Sequence, residues 1–271
     1  LNSQMVNVMS QEILSKLNTN HIEEISSSRN EPEWLKDYRK SSLSVYDNLP
    51  LETSPLYNKY TDAKKMDPDK VSLSTTTTET IPTFLQKRLG ELENEICIIQ
   101  IGTNIYKINL PEELKSKGLV ISSISDAIEN NSELVKKALE ASRSEEDRFT
   151  ALNNAAFNSG IFIHIPRNFI LEKPIYFLTC LSEDGHSTIS RNVIFADESS
   201  KAAIVQELYS PKIETQQAYL ELMNTNVGDN AQLDVTTLQM LDQSAVTFST
   251  KRTDLGQDAK VNWYSGLFGS M

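Results

Sequence analysis

Hydrophobic and polar positions alternate with two different periods along this chain, and the change falls near Gly160. Ahead of it, apolar residues recur at helical spacing. "SQEILSKLNTN" (10–20) places Ile13, Leu14 and Leu17 on one face with Ser10 as a candidate N-cap, which predicts a helix. "EPEWLKDYRKSSLSVY" (31–46) predicts another: Pro32 falls in its first turn, and Glu31 and Glu33 sit at the positive end of the dipole. Leu35, Tyr38, Ser42 and Val45 form its stripe, bordered by Trp34, so burial of Trp34 is expected. From Asn48 to about Pro82 the chain is rich in Pro, Ser, Thr and Asp and reads as an extended linker. "EICIIQIGTNIYKINLP" predicts a hairpin around Gly102-Thr103-Asn104. Residues 122–160 return to helical spacing, with Leu134, Ala138 and Leu139 on the apolar side and Asn158 to Gly160 as the stop.

After Gly160 the period becomes two. "GIFIHIPRN", "KPIYFLTC" and "RNVIFAD" are strands by β-branched and aromatic content. Ala231, Ala245 and Ala259 follow polar turn residues at a constant spacing of 14. Such a repeat fits stacked β-coils or an antiparallel meander. Nine glycines in 271 residues are few for a meander built on Asn-Gly or Asp-Gly turns. The alternation places Leu233, Val235, Val261 and Trp263 on the inner face of their strands.

Composition narrows the function. Hydrophobic residues make up 39% and charged residues 23%, a globular balance. A net charge of -11 argues against nucleic acid and against an anionic membrane surface. The longest apolar run is too short to span a bilayer, and the first residues carry no signal-peptide pattern and no initiator Met. A cytoplasmic protein with residues missing upstream is therefore the expectation.

Chemical motifs are scarce. No Gly-Lys pair, G-x-S-x-G, H-E-x-x-H or C-x-x-C occurs. A metal reading would join His164 and His186 with Glu183, Asp184 or Glu207, in the manner of a cupin. The plainer reading is a hydrogen-bonded strand histidine and a solvated loop histidine. Cys180 has acidic neighbours in sequence, which disfavour a thiolate, and Cys97 lies in an apolar run. The run "SRSEEDRF" reads as a solvated helix face. Trp34 and Tyr38 read as packing residues, with a partner anchor as the functional alternative. No catalytic, cofactor or metal residue is assigned.

Three stretches together carry a resemblance. "EPEWLKDYRKSSLSVYDNLP", "ALNNAAFNSGIFIHIPRNFILEKPIYF" and "RNVIFADESSKAAIVQELYS" resemble, in that order, the SufB/SufD family of iron–sulfur cluster assembly proteins. "DNAQLDVTTLQ" and "STKRTDLGQDAKVNW" continue in the same style. The resemblance implies a mainly β protein with an α-helical N-terminal region and a right-handed parallel β-helix, truncated or short. A 14-residue unit would then be half a coil. The divisions expected are an N-terminal helical region (1–70), a linker and short helix (71–95), an α/β connecting region (96–158) and the β-helix core (159–271).

The same resemblance implies a non-catalytic scaffold. Its partners would be a SufB-like protein and a SufC-like ABC ATPase, with a homodimer as a further arrangement. An iron–sulfur cluster would be held transiently in the complex and not stably by this chain. E-P-x-W leans toward SufB and the cysteine content toward SufD, and the SufD-like reading is adopted. The chain stops at "WYSGLFGSM", where family members continue into further coils and ATPase-binding helices, so no cluster ligand is carried over. The competing class is a β-helix carbohydrate-active enzyme, which needs paired carboxylates on adjacent coils. Glu221 and Asp234 are its candidates, but Thr247 or Ser249 and Asn262 occupy the partner positions.

Overall fold

The computed structural model describes residues 12–51, 63–73, 81–182 and 185–269. Its elements are β1 (Glu12–Ile13), α1 (Thr19–Ser28), α2 (Glu33–Asn48), β2 (Ser72–Leu73), α3 (Gln86–Glu91), β3 (Cys97–Ile101), β4 (Asn104–Asn109), α4 (Glu112–Ser116), β5 (Val120–Ser123), α5 (Ile124–Asn130), α6 (Ser132–Glu140), α7 (Arg148–Ala156), β6 (Ile161–Ile165), β7 (Ile175–Cys180), β8 (Thr188–Ala196), β9 (Lys201–Tyr209), β10 (Gln217–Val227), β11 (Gln232–Met240), β12 (Ala245–Leu255) and β13 (Lys260–Leu267).

Successive strands from β6 onward alternate between two sheets, so the chain winds as a β-solenoid of about three turns. One sheet has the order β12-β10-β8-β6-β5 and the other β13-β11-β9-β7-β3-β4. Pairing within each is parallel, except where β5 and β4 close the first coil antiparallel against β6 and β3. Lys201 stacks on Gln232, 31 residues later, and Gln232 stacks on Lys260, 28 residues later. Ala231 and Ala259 are thus one coil apart, and Ala245 opens the opposite strand of the same coil. The 14-residue unit is half a coil.

The corners explain the low glycine content. Asn168, Ser199, Asn230 and Asp258 hold φ values of 59°, 59°, 57° and 56° at equivalent turns. Short polar side chains tolerate this left-handed conformation, so glycine is not required there. Each turn is tied to the next coil: Asn168 N–H donates to the Glu198 carbonyl (3.0 Å), Ser199 to Asp229 (2.9 Å) and Asn230 to Gln257 (2.8 Å). Gly160, at the entry to β6, is different. It has φ 143°, and a Cβ there would lie 1.9 Å from the Arg191 carbonyl oxygen. Only glycine permits so close an approach.

Apolar clusters form between the sheets and on the outer face of each. Ile163, Phe177, Ile194, Ile204, Leu233 and Val235 fill the space between the sheets. Phe162, Val193, Ala218, Leu220 and Val246 point the other way and carry the helices. On the second sheet's outer face, Leu85 and Leu92 flank α3 and cover Cys97, Ile99, Leu178 and Cys180. Helix α7 lies between α2 and the strands and is buried from Thr150 to Ala156, after a half-buried first pair of residues. Asn153 donates from it to the Ser190 carbonyl (2.9 Å).

Leu233 and Val235 are buried while Asp234 and Thr236 are half-exposed, as alternation requires. Val261 and Trp263 pack on the same interior cluster but stay half-buried, because they belong to the last described coil.

Three expectations change in the helical region. Residues 12–17 form a two-residue strand and a short 3-10 turn, and the helix begins instead at Thr19, capped by Asn18. Ser10 lies outside the described residues. Residues 63–73 are no linker: Met66, Val71 and Leu73 are buried in the helical core, and β2 pairs with β1. The remainder of the polar stretch between Glu52 and Glu79 is outside the described residues apart from this segment. Trp34 is half-buried rather than buried, packed beside α6 with the Lys136 ammonium 5.3 Å from its ring. The buried stripe of α2 runs instead through Leu35, Arg39, Ser42, Leu43 and Tyr46.

Candidate functional site

The solenoid interior is apolar toward one end and polar toward the other. On β10 the inward positions are Tyr219, Glu221 and Met223, since Leu220 and Leu222 alternate with them and Leu220 packs on the helices. The buried Glu221 carboxylate accepts from Asn192 Nδ2 (2.7 Å), Tyr219 Oη (3.2 Å), Ser249 Oγ (2.6 Å) and Gln206 Nε2. Gln206 reaches across from the opposite sheet and accepts from Thr237 Oγ1 at 2.9 Å. Lys251 donates to Thr237 and stands 5.0 Å from the Trp263 ring. One carboxylate thereby links strands of both sheets. Burial, reinforced by the Glu221 charge, pushes the Tyr219 phenol well above its ordinary value. Burial lowers the Lys251 ammonium, against an opposing pull from Glu221.

This arrangement binds coils together; it does not present a reactive acid. Both Glu221 oxygens are occupied by donors. Asp234 lies on the other sheet, faces outward, and accepts from Asn262 at 2.7 Å. The stacked partner of Glu221 is Ser249. The two carboxylates of the carbohydrate-active reading are therefore not brought together.

The metal-reading residues are also dispersed. His164 Nε2 pairs with Asp197 Oδ2 at 2.8 Å on the outer face of its sheet. His164 stacks beside Phe195 near the end of β8, whereas His186 lies before the start of that strand, nine residues earlier than Phe195 in the chain. Glu207 is clamped by Arg88 (Nε at 2.9 Å) and accepts from Tyr209 Oη (2.9 Å). Glu183 and Asp184 are outside the described residues. Among the described residues no group of three or more His, Cys, Asp or Glu side chains could hold a metal ion. Cys97 and Cys180 are both buried beneath α3, and burial pushes the Cys97 thiol up.

Trp34 and Tyr38 lie where α2 meets α6. Tyr38 Oη donates to the Leu139 carbonyl at 3.1 Å, and burial raises its phenol. The residue that dominates this helix went unnoticed in the sequence. Arg39 is fully buried, donates to both Glu31 oxygens (2.8 and 2.7 Å) and to the Ala155 carbonyl (3.1 Å), and stacks 3.8 Å over the Phe157 ring. Arg191, also fully buried, donates to Asn154 Oδ1 (2.6 Å) and the Ala138 carbonyl (3.2 Å). Arg29 donates to the Asn158 carbonyl (2.8 Å), and burial lowers its guanidinium to about 10. Three arginines thus bolt the helices to the start of the solenoid. For Arg39 the sequence signal was a charge within the helical stripe, between Leu35 and Ser42.

At the far end, β12 and β13 are the outermost strands of their sheets among the described residues, each with one edge unpaired. Leu255 (54%), Tyr264 (54%), Leu267 (68%) and Phe268 (74%) are exposed there.

An N-terminal helical domain bolted onto a two-sheet parallel solenoid defines the class of protein. Residues 9–177 match the SufBD protein N-terminal region, and residues 179–271 match the SUF system FeS cluster assembly, SufBD core domain. The chain belongs to the SufBD family. An iron-sulfur cluster assembly SufBD family protein of Staphylococcus aureus (strain USA300) is 27% identical over 270 residues, covering 94% of this chain and 57% of that protein. Its counterpart in Staphylococcus saprophyticus is 25% identical over the same coverage. The chain spans a little over half the length of these curated relatives. No helix among its described residues is long and apolar enough to cross a membrane.

Proposed function

We propose that this chain acts as a non-catalytic, SufD-like scaffold subunit of the cytoplasmic Suf iron–sulfur cluster assembly complex, pairing with a SufB-like protein and a SufC-type ABC ATPase. The observation that carries the reading is the match to both SufBD regions, end to end across the two structural parts of the chain. The interior network supports a structural role, since its Glu221 oxygens are engaged by donors within the chain. In this reading the cluster is cargo, held in the assembled complex, and the isolated chain retains no stable iron or labile sulfide.

The test is affinity purification of the full-length gene product from its native cell. A SufB-like protein and a SufC-like ATPase should co-purify, and the chain alone should hydrolyse no ATP. Their absence from the purified material, or ATP turnover by the chain alone, would overturn the assignment.

A further inference from the structure

Inside the first coils three polar side chains surround one loop pair. Gln100 of β3 and Thr179 of β7 are stacked partners on the inward face and are essentially without solvent exposure. Gln217, at the start of β10, faces the same interior from the opposite sheet and is equally buried. Strand pairing joins Thr179 to Gln100, and close contacts join Gln100 to Gln217. Gln217 Nε2 donates to the carbonyls of Ser182 (2.7 Å) and His186 (3.2 Å). Ser182 follows Thr179 by three residues, and its side chain lies against Gly102, 3.4 Å from where a Cβ would stand. The Gly102 carbonyl accepts from Gln100 Nε2 at 3.0 Å.

Those donations set the orientation of both amides, because each Nε2 faces a carbonyl oxygen and a flipped amide would oppose oxygen to oxygen. Each Oε1 is then turned away. Gln100 Oε1, Gln217 Oε1 and Thr179 Oγ1 have no hydrogen-bond partner among the described residues. Buried oxygens of this kind are ordinarily satisfied. Two of the three can only accept, so their guest must bring protons; an anion is excluded. Among the described residues no charged side chain hydrogen-bonds to them, and a cation enclosed without a counter-charge is strongly disfavoured.

We propose that these oxygens form an internal hydration site, with at least one long-lived water bridging Gln100 Oε1 and Thr179 Oγ1. Paired strands stand about 4.8 Å apart, a span that one water closes with two ordinary hydrogen bonds. The site sits beneath the antiparallel cap made by β4 and would join the hairpin to the first full coil through solvent that does not exchange freely.

Oxygen-17 relaxation dispersion on the purified chain counts long-lived internal waters. Thr179→Val keeps the shape and removes the hydroxyl. The wild type should show long-lived waters, and T179V at least one fewer, with cooperative melting retained. An equal count in the two proteins would overturn the proposal. So would stabilisation specific to potassium or ammonium at constant ionic strength that vanishes in T179V, since it would put a cation where water is assigned. If T179V does not fold, an atomic-resolution crystal structure of the wild type decides: density within hydrogen-bond distance of the oxygens supports the site, and side chains repacked onto one another refute it.

Discussion

At the scale of single residues, charge burial decides more than aromatic packing. Arg39 and Glu31 form a buried pair with side chains 0% and 4% exposed. Removing one partner leaves the other charge stranded, which costs about 3–5 kcal/mol. Arg39→Ala should therefore lower stability by that amount in denaturant titration. Trp34→Ala should cost less, roughly 2 kcal/mol, because the ring is half-buried and a fully buried Trp costs about 3–5. The reverse ranking in the same titration would show that the helix is anchored by its aromatic ring. The tyrosines set an alkaline limit. An unfolded phenol loses its proton near pH 10, whereas the folded Tyr219 holds it to well above that. Between those values the folded state binds more protons, so the stabilisation is complete below pH 10 and falls as pH rises beyond it. Tyr219→Phe should flatten that fall in melting curves taken above pH 10. Tyr38 and Tyr209, raised by burial as well, supply the remainder. Lys251 contributes the opposite slope: its proton is held less firmly in the fold, so its own share of stability grows as pH rises toward the ordinary lysine value.

At the scale of elements, the corner column and the strand alternation cooperate. Each strand supplies an inward face of period two, and each left-handed corner returns the chain at a fixed point of the next coil. Asn230 holds φ 57° without glycine. Asn230→Ala should cost about 1 kcal/mol, since alanine has no polar side chain to favour the left-handed region, while Asn230→Gly should stay within a few tenths of the wild type. Thermal melts of the pair would check this, and equal losses in both would place the stabilisation in the asparagine side chain. The β-helix reading was legible here because its periods are local. Inward alternation over Gln232–Met240 and the 14-residue spacing of alanines both survive in the sequence alone. The helix expected over residues 10–20 failed for the complementary reason. Its apolar spacing fits a helix, but Leu14 meets Val71 through a backbone hydrogen bond of 2.9 Å, and that contact is invisible in a short window.

At the scale of the whole molecule, the two ends of the solenoid differ. The first coil is closed by the antiparallel strands β4 and β5, a device that blunts sheet edges against stray pairing. The last described coil offers two unpaired edges and the apolar side chains of Leu255, Tyr264, Leu267 and Phe268. In the chain as given, Tyr264→Lys together with Leu267→Lys should leave the melting temperature within a few degrees of wild type, because both side chains are exposed; a larger drop in a thermal melt would show that they are packed.

What the sequence by itself determined is the family, the passage from helices to stacked strands, and the inward face of β11 and β13. All three rest on order and short-range periodicity, which chemistry writes directly into neighbouring residues. Tertiary structure decided the rest. It drew residues 63–73 from an apparent linker into the helical core, and it turned Arg39, Arg191 and Glu221 from surface-type residues into the buried ties of the molecule. A polar segment can be ordered, and a charge buried, only when distant partners supply apolar contacts or hydrogen bonds. For Arg39 those partners include Ala155 and Phe157, and for Glu221 they include Asn192 and Ser249. Pairings over such separations exist only once the coils have stacked and the helices have closed upon them.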